Sequence, residues 1–263
     1  MPDNSREKGF GGLLQLSLLV MLVSVFFAGS FYTRVKVLEK ELGVYKETRK
    51  VAGVQAETKG NEPALPQPKA LAPSAPSVKG EVNITKDDHI NGSSKARILL
   101  VEYSDMECPY CKKFHPTAQQ IVDNFKGEVA WVYRHLPLVF HANAQKEAEA
   151  SECANELGGN SAFWKYTNAI FARTNSGGTG FALEDLTPLA EEIGLDSAKF
   201  QTCLDSDKYV ERIKNDSLTA TGLGVTGTPG NILLDTKTGK TAFLPGAYPY
   251  EDFEKAIQGM LAE

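Results

Sequence analysis

The chain has 263 residues, 42% of them hydrophobic and 23% charged, with a formal net charge of −5. A mildly acidic chain with no basic block has nothing with which to neutralise phosphates, which excludes nucleic acid as its main partner. Its four cysteines, Cys108, Cys111, Cys153 and Cys203, are too few for a disulfide scaffold of this length and read as pairs with separate tasks.

From Gly9 to Thr33 there is no charged residue, and Leu13–Ala28 is almost continuously apolar. A run of that length can cross the roughly 30 Å hydrocarbon core as a helix. Residues 1–33 are therefore expected to form a cytoplasmic tip and an uncleaved anchor. The small residues Ala28-Gly29-Ser30 keep a cleaved signal peptide as the competing reading. Arg34, Lys36, Lys40 and Lys46 outnumber Arg6 and Lys8, and on that count the following chain would be cytoplasmic. The cysteine chemistry below favours the opposite side and takes precedence.

Residues 34–58 carry Val35, Leu38, Leu42 and Tyr45 at helical spacing, which predicts a short juxtamembrane helix. Residues 59–86 are rich in proline, alanine and lysine without apolar periodicity, and read as a disordered, extended spacer.

The folded domain is expected over 87–263. Arg97–Tyr103 reads as a buried strand, followed by a helix from Cys108, with Pro109 suited to its first turn. Val129–His135 is a second strand. A helical region, about 142–222, comes next, with segments at Ala142–Leu157, Ala162–Ala172, Leu183–Ile193, Ser197–Leu204 and Lys208–Thr221. Asn231–Asp235 and Thr241–Leu244 suggest a hairpin, and Tyr250–Leu261 a last helix. Strands early and late with helices between them predict an α/β sheet interrupted by an all-helical insertion.

Cys108-Pro109-Tyr110-Cys111 could be half of a zinc site, a staple or a redox centre. Zinc needs about four ligands, yet Cys153 and Cys203 stand apart and the histidines are scattered, so no metal is expected. A staple across two residues closes too small a loop to constrain the chain. Redox chemistry remains. At the start of a helix, Cys108 meets free backbone N–H groups and the positive end of the macrodipole, which stabilise a thiolate. Cys111, one turn further in, is placed to resolve a mixed disulfide.

The segment VEYSDMECPYCKKFHPT resembles the active site of the DsbA-like branch of the thioredoxin superfamily, extracytoplasmic thiol–disulfide oxidoreductases. Similar stretches are GLGVTGTPGNILL (Gly222–Leu234), RHLPL (Arg134–Leu138), AEASECANELGG, FWKYTNAIF and DDHINGSSKA. The resemblance covers about Asp87 to Glu263 and implies a thioredoxin-like α/β fold. It implies that Cys108 is the exchanging sulfur and Cys111 its resolving partner. Pro229 would be a cis-proline facing them, and Thr228 would offer backbone groups to an extended substrate.

Glu102 matches the acid that the family buries beneath the disulfide, where it would pass a proton to and from Cys111. From the residues alone it could equally point to solvent. Tyr110 is a candidate substrate contact or a turn filler. Glu107 reads as an exposed charge, His115 as solvated or capping, and His135 and His141 as packing residues. Cys153 and Cys203 lie in different predicted helices, and in an oxidising compartment a structural disulfide between them is expected.

The expected activity is exchange of disulfides in cysteine-containing exported proteins, without a cofactor, by a domain tethered outside the cytoplasm in the periplasm or at the cell surface. A membrane redox partner would recycle it. Oxidase is favoured over isomerase or reductase, and a non-enzymatic binding or chaperone module is the alternative class.

Overall fold

The computed structural model describes residues 77–263. The expected anchor, the juxtamembrane helix and most of the spacer lie outside the described residues. Among the described ones, no helix is long and apolar enough to cross a membrane.

Five strands, β1 (His89–Asn91), β2 (Ile98–Ser104), β3 (Val129–His135), β4 (Gly230–Asp235) and β5 (Thr241–Pro245), make one sheet in the order β1-β3-β2-β4-β5. β2 runs parallel to β3 and antiparallel to β4, and both outer pairs are antiparallel. Every residue of β2 is buried, which explains its nearly unbroken apolar sequence: a strand covered on both faces has no polar side to show. Ile98 and Leu100 join one core cluster with Phe114, Trp131, Phe163 and Phe253, while Leu99, Val101 and Tyr103 join a second on the other face. Strand alternation then puts Glu102 on the first face, fully buried, rather than in solvent.

The helices are α1 (Pro109–Asn124), α2 (Ala144–Arg173), α3 (Leu186–Glu192) after a 3-10 turn at Leu183–Asp185, α4 (Ser197–Asp205), α5 (Val210–Leu223) and α6 (Tyr250–Leu261). α1 buries Phe114, Ala118 and Ile121 at helical spacing. α2 joins the two segments expected at 142–157 and 162–172, with a break at Gly159, whose φ of 68° suits a residue without Cβ. α4 is capped by Asp196, whose carboxylate accepts the Lys199 N–H at 2.9 Å. In the chain, α2 to α5 lie between β3 and β4.

The chain joins the core earlier than its composition suggests. Val82 is buried, Val78 and Ile84 pack beside it, and Lys79 N–H donates to the Leu223 carbonyl at 3.1 Å. Val78, Val82 and Ile84 therefore pack on the domain within the stretch expected to be spacer. What holds the segment after them is long-range: Arg134, buried in β3, bonds both carboxylate oxygens of Asp88 at 2.8 and 2.9 Å and the Tyr103 hydroxyl at 2.9 Å. β1 was not foreseen as a strand, since three residues are too few to show a period.

Cys153 of α2 and Cys203 of α4 are joined as a disulfide, with Cα atoms 5.9 Å apart and a separation of 50 positions in sequence. Loop closure on that scale restricts the unfolded chain by about 4 kcal/mol in the chain-entropy description. Replacing both cysteines by alanine should lower unfolding stability by about 2–4 kcal/mol, and reductant should have a similar effect on the unaltered chain; denaturant melts measure both.

Candidate active site

The site is built where β2 hands the chain to α1. Ser104 closes the strand, and the turn Asp105–Cys108 is pulled tight by Cys108 N–H to the Asp105 carbonyl (3.1 Å) and Glu107 N–H to Asp105 Oδ1 (2.8 Å). Cys108 takes the N-cap position in extended conformation, with Pro109 as the first helical residue, where its missing N–H costs nothing. The Cys108 sulfur consequently lies over the free N–H groups of the first turn.

Cys108 and Cys111 are both free thiols. The Cys108 thiol is lowered to about 6, first by the hydrogen bond from the Cys111 thiol, then by the Thr228 contact and the backbone N–H groups of Cys111 and Tyr110, all against burial. Cys111 is driven the other way: burial, its bond to Cys108 and the charge of Glu102 hold its thiol well above the ordinary value. Cys111 has no exposed surface and Cys108 keeps 4%, so an incoming sulfur can reach only Cys108. On the far side stands the cis Thr228–Pro229 peptide, with the Thr228 carbonyl 3.5 Å from Cys108 Sγ.

Glu102 lies on the cysteine side of the sheet between Tyr133 of β3 and Asn231 of β4. Burial first, and then a charge on Cys108, push its carboxyl up to about 8, despite the Ser104 hydroxyl and Trp131 indole nearby. Neither of its oxygens has a hydrogen-bond partner. A carboxyl held near 8 beside a buried thiol can give up its proton, and its carboxylate can take one back, near neutral pH.

Tyr110 is 64% exposed and projects from the helix start. With Lys113, Thr228, Gly246, Tyr248 and Pro249 it lines a cleft of about 400 Å³ beside the cysteines. The structure thus brings together Cys108, Cys111, Glu102, Tyr110, Thr228 and Pro229, while Cys153 and Cys203 lie in the helical insertion.

Two expectations are corrected. Glu107 is fully buried, its carboxylate bonded to Thr174 Oγ1 and to the N–H groups of Gly178, Gly180 and Phe181. A hydrogen bond from the neighbouring Glu147 carboxyl and then these contacts hold it low against burial, whereas burial, that same bond and the charges of Glu107 and Asp105 push Glu147 up to about 10. The pair therefore carries one negative charge at neutral pH, on Glu107. His115 is a packing residue: its ring stacks on Phe171 at 4.3 Å, its Nε2 meets Asn168 Oδ1 at 2.7 Å, and burial takes it down to about 4. No local pattern could have shown either, because the partners lie more than 50 positions away. Asp105 was also passed over; its Oδ2 accepts from Leu138 N–H at 2.7 Å and pairs with His141 Nδ1 at 2.8 Å.

Among the described residues, the donor atoms of His89, His135 and Glu152 lie within 4.8 Å of one another, as metal ligands would. Glu152 Oε1, the oxygen both imidazoles face at 2.9 and 3.1 Å, is also bonded by Arg212 Nε at 2.6 Å. A guanidinium already stands where a cation would sit, so this cluster is an ion-paired clamp between β1, β3 and the insertion.

A sheet, an opening CxxC helix and a facing cis-proline define a thioredoxin-superfamily domain with the layout of a thiol–disulfide oxidoreductase. Residues 84–258 match the Thioredoxin_4 family model, described as thioredoxin, and the chain belongs to that family, in its DsbA-like branch. The fold is similar to DsbA2 of Pseudomonas aeruginosa (32% identity, TM-score 0.58, 68% of this chain and 97% of that one). It also resembles oxidised BdbD of Bacillus subtilis in fold (21% identity, TM-score 0.60, 71% and 99% covered). Among curated proteins, a Na(+)/H(+) antiporter NhaA of Salinispora tropica is 36% identical over 143 residues, 54% of this chain but only 21% of the antiporter. The chain thus matches about a fifth of the length of those relatives.

Alkylation of the reduced protein should modify Cys108 with a midpoint near pH 6 and leave Cys111 unmodified through pH 8, read by mass spectrometry. The pH dependence of stability carries a second signature. Because Glu102 titrates higher in the fold (about 8) than when unfolded (4.5), its protonated form is favoured by folding. That contribution is complete below about pH 4.5 and is lost as pH rises through 8. Glu102→Gln should flatten this decline in pH-dependent melts.

Proposed function

We propose that the domain forms disulfides in exported proteins through Cys108 and Cys111. The observation that carries this reading is the opposed titration of two adjacent thiols: Cys108 stabilised as a thiolate, Cys111 kept protonated beside a neutral Glu102. A sulfur that leaves readily as a thiolate makes its disulfide easy to reduce, and so a donor of oxidising equivalents.

Starting from the Cys108–Cys111 disulfide, a substrate thiolate attacks Cys108 Sγ. The substrate–Cys108 bond forms, the Cys108–Cys111 bond breaks, and the leaving Cys111 sulfur takes the proton held by Glu102. A second substrate thiolate then attacks the substrate sulfur of the mixed disulfide. It expels Cys108 as a thiolate, leaving the substrate oxidised by two electrons and the cysteine pair reduced. Thr228 would pair with the backbone of an extended substrate, Pro229 would hold that peptide in place, and Tyr110 would line the cleft beside it.

Reoxidation requires a membrane redox partner. The bonded Cys153–Cys203 pair supports an oxidising compartment, hence a domain outside the cytoplasm, and the apolar run at 13–28 supports a membrane tether. One observation favours a second reading, a reductase or isomerase. A Cys108 value of about 6 is closer to the ~7 of thioredoxin than to the ~3.5 of the strongest oxidase.

The redox potential separates the two: a value near −120 mV supports donation of disulfides, and one near −270 mV supports reduction. Cys111→Ser should accumulate mixed disulfides with disulfide-bearing target proteins on non-reducing gels, the Cys108 thiolate attacking the target disulfide and one target sulfur leaving as a thiolate, and Cys108→Ser should abolish all exchange. If the Cys108 variant kept thiol-dependent activity, a binding or chaperone role would replace this reading. Glu102→Gln should slow the first transfer at pH 7 by about 10²-fold, within the usual range for a lost general acid.

A further inference from the structure

Directly before Cys108, Glu107 spends a buried carboxylate on a loop some seventy residues away. Its Oε1 accepts from Thr174 Oγ1 (2.8 Å) and Phe181 N–H (2.9 Å), and its Oε2 from the N–H groups of Gly178 (2.9 Å) and Gly180 (2.6 Å). Its own carbonyl accepts the Gly177 N–H at 2.8 Å. One helical turn beyond the cysteine, Lys112 Nζ bonds the Thr174 carbonyl. From the insertion, Asn143 N–H donates to Gly178 O at 2.8 Å and its side-chain amide to Phe181 O at 2.7 Å.

The loop is shaped for this carboxylate. Ser176, Gly177 and Gly178 have consecutive positive φ values of 60°, 87° and 101°. Such a run lets nearby N–H groups converge on an anion. At Gly180 any Cβ would lie 2.1 Å from Ser176 N, so only glycine fits. With its inner side fixed by the carboxylate, the loop turns Asn175, Gly177 and Thr179 outward as exposed residues. Gly177 touches the peptide that carries Cys108, which sets this rim beside the sulfur that the cysteine of a polypeptide has to reach. A small dithiol need not pass over the rim.

We infer that the Asn175–Phe181 loop is a protein-recognising wall of the exchange site, and that Glu107 is the positioning residue that holds it beside Cys108. The inference rests on the exchange reading above and names a further contact for its substrate class, reduced polypeptide in extended form. Glu107 acts through the loop. Its amide counterpart would set an NH2 group against two of the four donors, so Glu107→Gln releases the wall although its size is kept.

The test compares oxidation of reduced, unfolded ribonuclease A with oxidation of dithiothreitol, using the full chain. In Glu107→Gln the rate ratio of protein to dithiothreitol should fall roughly tenfold, a loss expected when a positioning contact is displaced, and the loss should lie in KM for the protein. Thr179→Glu touches no anchor and should fold with an unaltered melting temperature; its ratio should fall roughly threefold, as for a rim charge. If Glu107→Gln does not fold, Thr179→Glu decides. A ratio within about twofold of the unaltered chain in Thr179→Glu would overturn the wall, whatever happens at Glu107. Equal losses on both substrates in Glu107→Gln would make it a general support of the active site and also overturn the inference. If the unaltered chain oxidises neither substrate, the exchange reading falls first and the wall with it.

Discussion

The site depends on one buried turn, Asp105–Cys108, and on the two carboxylates inside it. Between them, Asp105 and Glu107 accept hydrogen bonds from three separate stretches of chain: the turn itself, the segment after β3, and the loop after α2. Burying a carboxylate is costly unless its lone pairs are filled, and here backbone N–H groups fill most of them. The turn therefore cannot relax without exposing two acids and stranding several donors. Its rigidity is what keeps Cys108 at the helix cap.

From that fixed point the two sulfurs acquire opposite characters although they are three residues apart. Cys108 has helix N–H groups and the Cys111 thiol to stabilise its charge, whereas Cys111 points into the core toward Glu102. The same feature, burial, raises Cys111 and Glu102 together, so neither carries charge in the resting reduced state at neutral pH. Proton and electron pair can then move in step when the disulfide opens. The chemistry is set by depth beneath the sheet–helix junction more than by any single charged neighbour.

The rest of the molecule supports that junction from two directions. The Arg134–Asp88 pair and the His89–His135–Glu152–Arg212 clamp tie the entering chain and the insertion to β3, which lies parallel to β2. The Cys153–Cys203 bond keeps α2 and α4 together within the insertion. Charged groups this deeply buried hold position only while their partners stay in place, which makes the packing of the insertion a condition for the geometry of the site.

Much was legible from local pattern. The apolar run of β2, the exact span Val129–His135, the last helix and the Cys108-Pro109-Tyr110-Cys111 start of α1 follow from periodicity, capping and proline placement. These signals depend on residues close in sequence, where backbone preference and a single buried face decide the outcome. What adjacent residues could not settle was the direction of Glu102, because a strand apolar on both faces erases the alternation that would orient it. Nor could they place Glu107, which resembles any acid near a helix start until a glycine loop some seventy residues later closes over it. The cysteine pair and its place at a helix cap belong to the sequence itself, since both are fixed within one turn of chain. The unequal protonation of those cysteines and the wall beside them belong to tertiary structure, because burial and hydrogen-bond partners are properties of what the fold brings from far away.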